Sequence, residues 1–403
     1  MHHATPRQLR GWSRRFFAAS SMALSLSCAA QTEAVAPSRH DVFDETPQSA
    51  LERTLTAAEF GDRRAEVRLR RLLEEKPLDA PADPDALRAW NFLCSQSFHR
   101  GVYRAAVADC ARSLALPGGD EVQTFELARA LADQPAPHLQ GTGARLPIDA
   151  DGKVPTSING VEAAAVPDTG AQISVIMASV AERAHVRRLG TASVGSTTGD
   201  VSGSIGVVPR LGLGSAILYD LPVLILPDAS LTFDEGRLRM PFILSLYALG
   251  EFGRVAWLDH GRLLALGSSA PRLGLDSVPA FWHPLGLGLP MDGPRGRRAA
   301  HFDSGANESY FYPAALEVLA PDESARAQES VRRIGGAGGV ATQKVRKLPQ
   351  ATVTVAGHPI VFREIDVAEQ PETGEAARLG SDMLSRFSTV VLDIAKMRFS
   401  AVD

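Results

Sequence analysis

The sequence predicts a mainly β molecule of two similar lobes preceded by an α-helical domain, and three observations carry that prediction. A four-residue word recurs, Asp168-Thr169-Gly170-Ala171 and Asp303-Ser304-Gly305-Ala306, at a spacing of 303 − 168 = 135 residues. Each copy is approached through a short segment that follows a turn signal, Asn159-Gly160 before the first and Asp292-Gly293-Pro294 before the second. Upstream, from Glu45 to about Pro135, apolar residues fall at helical spacing instead. With 403 residues, 45% hydrophobic and 22% charged, the chain has material for two or three globular units.

In chain order, residues 1–30 read as an export signal. Arg7, Arg10, Arg14 and Arg15 lead into the apolar run Phe16 to Leu26, and small residues follow from Ser27 to Ala30. Ser13-Arg14-Arg15-Phe16-Phe17 resembles a twin-arginine signal, which leaves both export routes open. Leu24-Ser25-Leu26-Ser27-Cys28 is similar to a bacterial lipoprotein site with Cys28 as the acylated residue, its Leu one place early; the alternative is cleavage near Ala29 or Ala30. The apolar run is too short for a transmembrane helix, and no later stretch approaches the length needed. The expectation is an exported protein, periplasmic or envelope-anchored in a bacterium, without a transmembrane segment. Residues 31–44 form a linker.

Residues 45–135 are expected to be helical, with Gln48 to Phe60 and Arg63 to Glu75 as two helices and a break from Lys76 to Pro84. Trp90, Leu93 and Cys94, a turn at Arg100-Gly101, then Ala106, Cys110 and Leu114, resemble a tetratricopeptide-like helix pair. Such a unit needs stacked neighbours to bury its faces, and the two preceding helices would supply them. Cys94 and Cys110 lie on either side of that turn, so a disulfide and a pair of buried thiols both fit. Three cysteines with no paired spacing give no zinc signal.

The lobes span 141–268 and 272–403. In the first, Val154 to Ile158 and Val161 to Val166 flank Asn159-Gly160, the preferred type I′ turn, so the second strand delivers Asp168 at its end. In the second, Arg298 to Phe302 leads to Asp303. The repeat extends beyond the tetrapeptides: Ser174 answers Ser309, Ile243-Leu244-Ser245 answers Arg378-Leu379-Gly380, Phe252 answers Phe387, and Val255 answers Val390, while Asp259 answers Asp393 with a slip of one. Two Gly-rich segments follow the tetrapeptides at comparable distances, Thr191 to Gly206 and Ile334 to Gly339. They are candidate flaps, with Thr198, Gly199, Gly335, Gly336 and Gly338 at their tips.

Two carboxylates on such turns, brought to about 3 Å, cannot both ionise; they share a proton and titrate as a pair. One is then base and the other acid, which suffices to activate water against a peptide carbonyl with no metal or cofactor. Gly170 and Gly305 suit turns in which the backbone approaches a carboxylate.

From about Gly141 onward, on the tetrapeptides, on Leu379-Gly380-Ser381-Asp382-Met383-Leu384 and on Val390-Val391-Leu392-Asp393, the chain resembles the retropepsin-like and pepsin-like aspartic peptidases, with both lobes in one chain. The resemblance implies the bilobal acid-protease fold, Asp168 and Asp303 as the catalytic pair, Thr169 and Ser304 as cross-braces between the loops, and a peptide or protein substrate. Three positions depart from the family pattern: Pro167 where Leu or Val is usual, Ser245 where Gly is, and Tyr247 where Asp is. Ala171 and Ala306 replace the hydroxyl residue of acid-acting relatives. Fewer donors to the carboxylates leave the pair less acidic, so a mildly acidic to near-neutral optimum is expected.

Other chemistries lack their residues. A net charge of −4 offers no basic field for nucleic acid. Gly335 to Gly339 is followed by Val340-Ala341-Thr342-Gln343-Lys344, without the Gly-Lys-Ser/Thr of a phosphate loop. No His-Glu-x-x-His or Gly-x-Ser-x-Gly occurs. His301, two residues before Asp303, reads as a packed histidine. Two rival readings stay open, a protein that grips a peptide or polymer on this scaffold without cutting it, and an envelope adaptor that meets a protein partner through its helices.

Overall fold

The computed structural model describes residues 49–75, 84–194, 199–284, 286–337, 339–368 and 374–403. The export signal, the linker, Cys28, Thr198 and Gly338 lie outside them.

Five helices come first: α1 (Ala50–Glu59), α2 (Arg63–Glu74), α3 (Pro84–His99), α4 (Tyr103–Leu114) and α5 (Val122–Leu131). α1 starts where it does because Ser49 and Glu52 form a reciprocal capping box, and α2 because the Asp62 carboxylate accepts from the N–H groups of Arg64 and Ala65. The first two fall within two residues of the expected ends; α5 is a helix that the pattern had not separated. Carboxylates otherwise too costly to bury are each held by an arginine of another turn of the bundle: Glu59 by Arg88 at 2.7 Å, Asp109 by Arg70 at 2.7 Å, and Glu66 by Arg100. Cys94 and Cys110 are joined by a disulfide that ties α3 to α4.

The helices divide between two cores. Leu51, Leu55, Leu69, Trp90 and Leu93 pack among themselves, whereas Phe98, Tyr103, Leu127 and Leu131 belong to the core that fills the lobes. Among the described residues no helix is long and apolar enough to cross a membrane.

The first lobe contributes β1 (Gly143–Pro147), β2 (Val154–Ile158), β3 (Val161–Asp168), β4 (Ser174–Met177), β5 (Arg187–Val194), β6 (Val201–Leu213), β7 (Ala216–Leu226), β8 (Phe242–Ser245), β9 (Arg254–Leu258) and β10 (Leu263–Gly267). The second contributes β11 (Phe281–His283), β12 (Gly286–Gly293), β13 (Gly296–Phe302), β14 (Tyr310–Phe311), β15 (Gln328–Gly336), β16 (Gly339–Val355), β17 (His358–Ala368), β18 (Ala377–Leu379), β19 (Thr389–Asp393) and β20 (Arg398–Val402).

Strands β7, β4, β8, β3, β2 and β6 pair in that order, and β6 pairs back to β7, which closes a barrel. The ring β17, β14, β18, β13, β12 and β16 closes in the same way. The expected duplication is therefore a duplication of topology. A third sheet, β1-β10-β9-β19-β20, joins the lobes. At its middle Ala256 faces Val391, and 391 − 256 = 135, so the repeat's pseudo-twofold axis passes through that pair.

Asn159 and Gly160 both take positive φ, +52° and +86°, as a type I′ turn requires, and so fix the register that ends β3 at Asp168. The matching turn in the second lobe falls at Pro294-Arg295, between the paired Gly293 and Gly296, slightly later than its Asp-Gly-Pro signal suggests. The described residues of the candidate flaps belong largely to the far ends of two long hairpins, β5–β6 and β15–β16. Gly199 is exposed, whereas Gly335 and Gly336 are buried.

Candidate active site

In each lobe a parallel strand pair ends beside an aspartate: β3 runs with β8 and sets Ser245 opposite Asp168, and β13 runs with β18 and sets Leu379 opposite Phe302. The chain then turns. Asp168 Oδ1 accepts from the N–H groups of Gly170 at 2.8 Å and Ala171 at 3.1 Å; Asp303 Oδ1 accepts from Gly305 and Ala306, each at 3.0 Å. These bonds hold both carboxyls rigidly over their own turns.

The turns interlock. Thr169 Oγ1 donates to the carbonyl of Phe302 at 2.7 Å and accepts from the N–H of Ser304 at 2.9 Å. Ser304 Oγ reciprocates, donating to the carbonyl of Pro167 at 2.9 Å and accepting from the N–H of Thr169 at 3.1 Å. Three buried polar groups of each loop are thus satisfied by the other loop through four hydrogen bonds, which fixes the separation of the lobes at the site.

The glycines have a steric reason. A Cβ on Gly170 would lie 2.4 Å from Asp303 Cγ, and one on Gly305 would lie 2.2 Å from Asp168 Cγ. Each carboxyl packs on the glycine of the opposite turn, and the two carboxyls hydrogen-bond to each other. Both side chains are buried. Burial, then the neighbouring Asp303 charge, push Asp168 well above the usual carboxylate range. Burial raises Asp303 as well, against the pull of Arg378.

The three departures in the first lobe each have a structural account. Pro167 serves the site through its carbonyl alone, so losing an N–H there costs nothing at the cross-brace. Ser245 keeps the bond its counterpart makes: its N–H donates to Ser174 Oγ at 3.1 Å, as that of Gly380 donates to Ser309 Oγ at 2.9 Å, and its hydroxyl caps the short helix Leu246–Gly250. Tyr247 stands where Asp382 stands in the second lobe. Asp382 accepts from the backbone and hydroxyl of Ser309. Tyr247 instead stacks between His99 at the end of α3 and Trp282 of β11, and is part of the joint between helices and lobes.

The second lobe has its own departure, to which sequence reasoning gave no role. Register places His301 beside Arg378 where the first lobe has Val166 beside Ile243. Arg378 is fully buried and its Nη1 donates to Asp303 Oδ2 at 3.3 Å. His301 is buried too, held neutral by burial first, then by the charges of Arg378 and His283. His283 Nδ1 pairs with the buried Glu375 at 3.0 Å. The available signal was the 135-residue offset itself, since two apolar positions of one lobe are polar in the other. Among the described residues no group of three His, Cys, Asp or Glu side chains is placed to hold a metal ion.

Fold and site together define a two-barrel molecule with a shared, buried carboxyl pair at the lobe junction. Residues 154–242, most of the first barrel including Asp168, match the family described as aspartyl protease. Among solved structures, a retropepsin-like aspartic protease from Rickettsia conorii is similar at 14% identity and a TM-score of 0.23, over 32% of this chain and 92% of that chain. No curated protein matches the chain.

Proposed function

We propose that the protein is an exported aspartic endopeptidase in which Asp168 and Asp303 activate a water molecule against a peptide carbonyl. The observation that carries the reading is the hydrogen-bonded, buried carboxyl pair braced by Thr169 and Ser304. Two such groups share one proton, and the pair therefore offers a base and an acid at one point. Thr169, Gly170, Ala171, Ser304, Gly305 and Ala306 support the loops, and the β5–β6 and β15–β16 hairpins act as flaps over an extended substrate. Export is supported by residues 1–30 and by a disulfide suited to an oxidising compartment. The helices form a tetratricopeptide-like docking module.

Incubating a quenched peptide library with the protein and with Asp168→Asn and Asp303→Asn tests the reading. Cleavage by the parent, with either variant folded and slower on the order of 10³-fold or more, is expected. A folded parent that cuts nothing, or an Asn variant that cuts as fast, rejects it. Because burial and mutual repulsion raise the dyad, the rate should peak at mildly acidic to near-neutral pH; a maximum at about pH 2 would contradict this.

A further inference from the structure

We propose that Arg378 breaks the symmetry of the carboxyl pair, holding Asp303 as the carboxylate so that the shared proton resides on Asp168, which makes Asp303 the base and Asp168 the acid. The assignment rests on the peptidase reading for its chemistry and on geometry for its proton.

The two aspartates are otherwise matched. Each receives two backbone N–H bonds on Oδ1 from its own turn, each packs on the opposite glycine, and each turn receives the same two hydroxyl contacts. The difference lies on Oδ2 of Asp303, which accepts from Arg378 Nη1 at 3.3 Å. The position related to Arg378 by the repeat is Ile243, which brings no charge to Asp168. A guanidinium cannot give up its proton, so its charge beside Asp303 is permanent. Held in a buried site, it favours the ionised carboxyl that it touches over the one that it does not.

The guanidinium is itself held in place. Arg378 lies in β18 between β13 and β14, opposite His301 on one side and Tyr310 on the other, and its charge sits 5.7 Å from the Tyr310 ring centre. Other groups that titrate or carry charge face this cluster. Asp168 comes from β3, and His301 from β13 is kept neutral by burial. His283 from β11 is paired with Glu375, and Arg332 of β15 lies 4.1 Å from the centre of the same Tyr310 ring. Arg378 is the cation that touches the pair among the described residues. Burial lifts both carboxyls, Arg378 draws Asp303 back, and the Asp303 charge drives Asp168 higher, in the same sense as the geometry.

The reaction then has a direction. Water passes a proton to Asp303 as its oxygen bonds the carbonyl carbon, while Asp168 passes its proton to the carbonyl oxygen, which leaves a neutral gem-diol. One hydroxyl proton returns to Asp168 as the C–N bond breaks, and Asp303 gives its proton to the leaving nitrogen. Asp303 ends ionised and Asp168 protonated, as they began. Arg378 is a positioning residue in this scheme, acting through Asp303.

Carboxyl-carbon NMR of protein labelled with ¹³C at the aspartate side chains tests the proposal without requiring turnover. Asp168→Asn and Asp303→Asn assign the two signals. In the parent, Asp303 should show the ionised shift at a pH where Asp168 is still protonated. In Arg378→Met the titration of the pair should move up by about one pH unit or more, and in Arg378→Lys by less. If the parent cleaves peptide, the acid limb of its pH-rate profile should move up by the same amount in Arg378→Met. A parent in which Asp303 holds the proton overturns the proposal, whether or not Arg378→Met folds, as does a folded Arg378→Met whose pair titrates unchanged. Failure of the parent to cleave any peptide removes the peptidase reading, while the two carbon signals still decide where the proton lies.

Discussion

Thr169 Oγ1 is one atom that serves both lobes, donating to Phe302 and accepting from Ser304. Thr169→Val keeps the volume and removes both bonds, leaving a buried carbonyl and a buried N–H without partners. A loss of about 2 kcal/mol or more is expected in urea unfolding, with Thr169→Ser recovering most of it. An unchanged midpoint would mean the cross-brace contributes nothing to holding the lobes together. At this scale much was legible. The word Asp-Thr/Ser-Gly-Ala specifies a carboxylate, a hydroxyl and a position without Cβ, and all three are used within four residues. Arg378 was not legible, because its partner Asp303 is 75 residues away and only the pairing of β13 with β18 brings them together.

Among the elements, α3 and α4 are joined through Cys94 and Cys110, 16 residues apart. Closing a loop of that length restricts the unfolded chain by about 3 kcal/mol. Removing both thiols as Cys94→Ala/Cys110→Ala should therefore lower the denaturation midpoint relative to the oxidised parent, and reductant should lower the parent to the same value. A parent indifferent to reductant would show the link to be energetically silent. The helix pair itself was readable from periodicity, as was the hairpin that delivers Asp168, since Asn159-Gly160 encodes its turn locally. The choice between a bridge and two thiols was not, because the sequence gives no distance between facing helix turns. Nor was the long β15–β16 hairpin: its Gly-rich tip reads as loop, and only nine paired positions, from Gln328↔Lys347 to Gly336↔Gly339, make it strand.

For the whole molecule, the helices lie against both lobes. Phe60 at the end of α1 meets Phe281 with ring centres 5.4 Å apart, and the His99-Tyr247-Trp282 stack runs from α3 through the first lobe to β11. Phe98, Tyr103, Leu127 and Leu131 share the lobes' core. Deleting residues 49–135 should consequently give a protein that aggregates or unfolds at markedly lower temperature, because those contacts would become exposed apolar surface. Light scattering and thermal unfolding of the truncated chain measure this. Lobes that remain monomeric and equally stable would show the helices to be a detachable unit.

By itself the sequence determined the repeat, the two acid turns and the helical front, because turn chemistry, helical spacing and tandem duplication are written in residues close together or at a constant offset. Tertiary structure alone decided that the two turns interlock, that Tyr247 faces a helix where its counterpart Asp382 faces a serine, and that an arginine rests on one carboxyl of the pair. Those outcomes depend on which strands lie side by side, and burial then sets their energy. A charge or a hydroxyl far away in the chain acquires its role only when closure of the barrels removes the water between it and its partner.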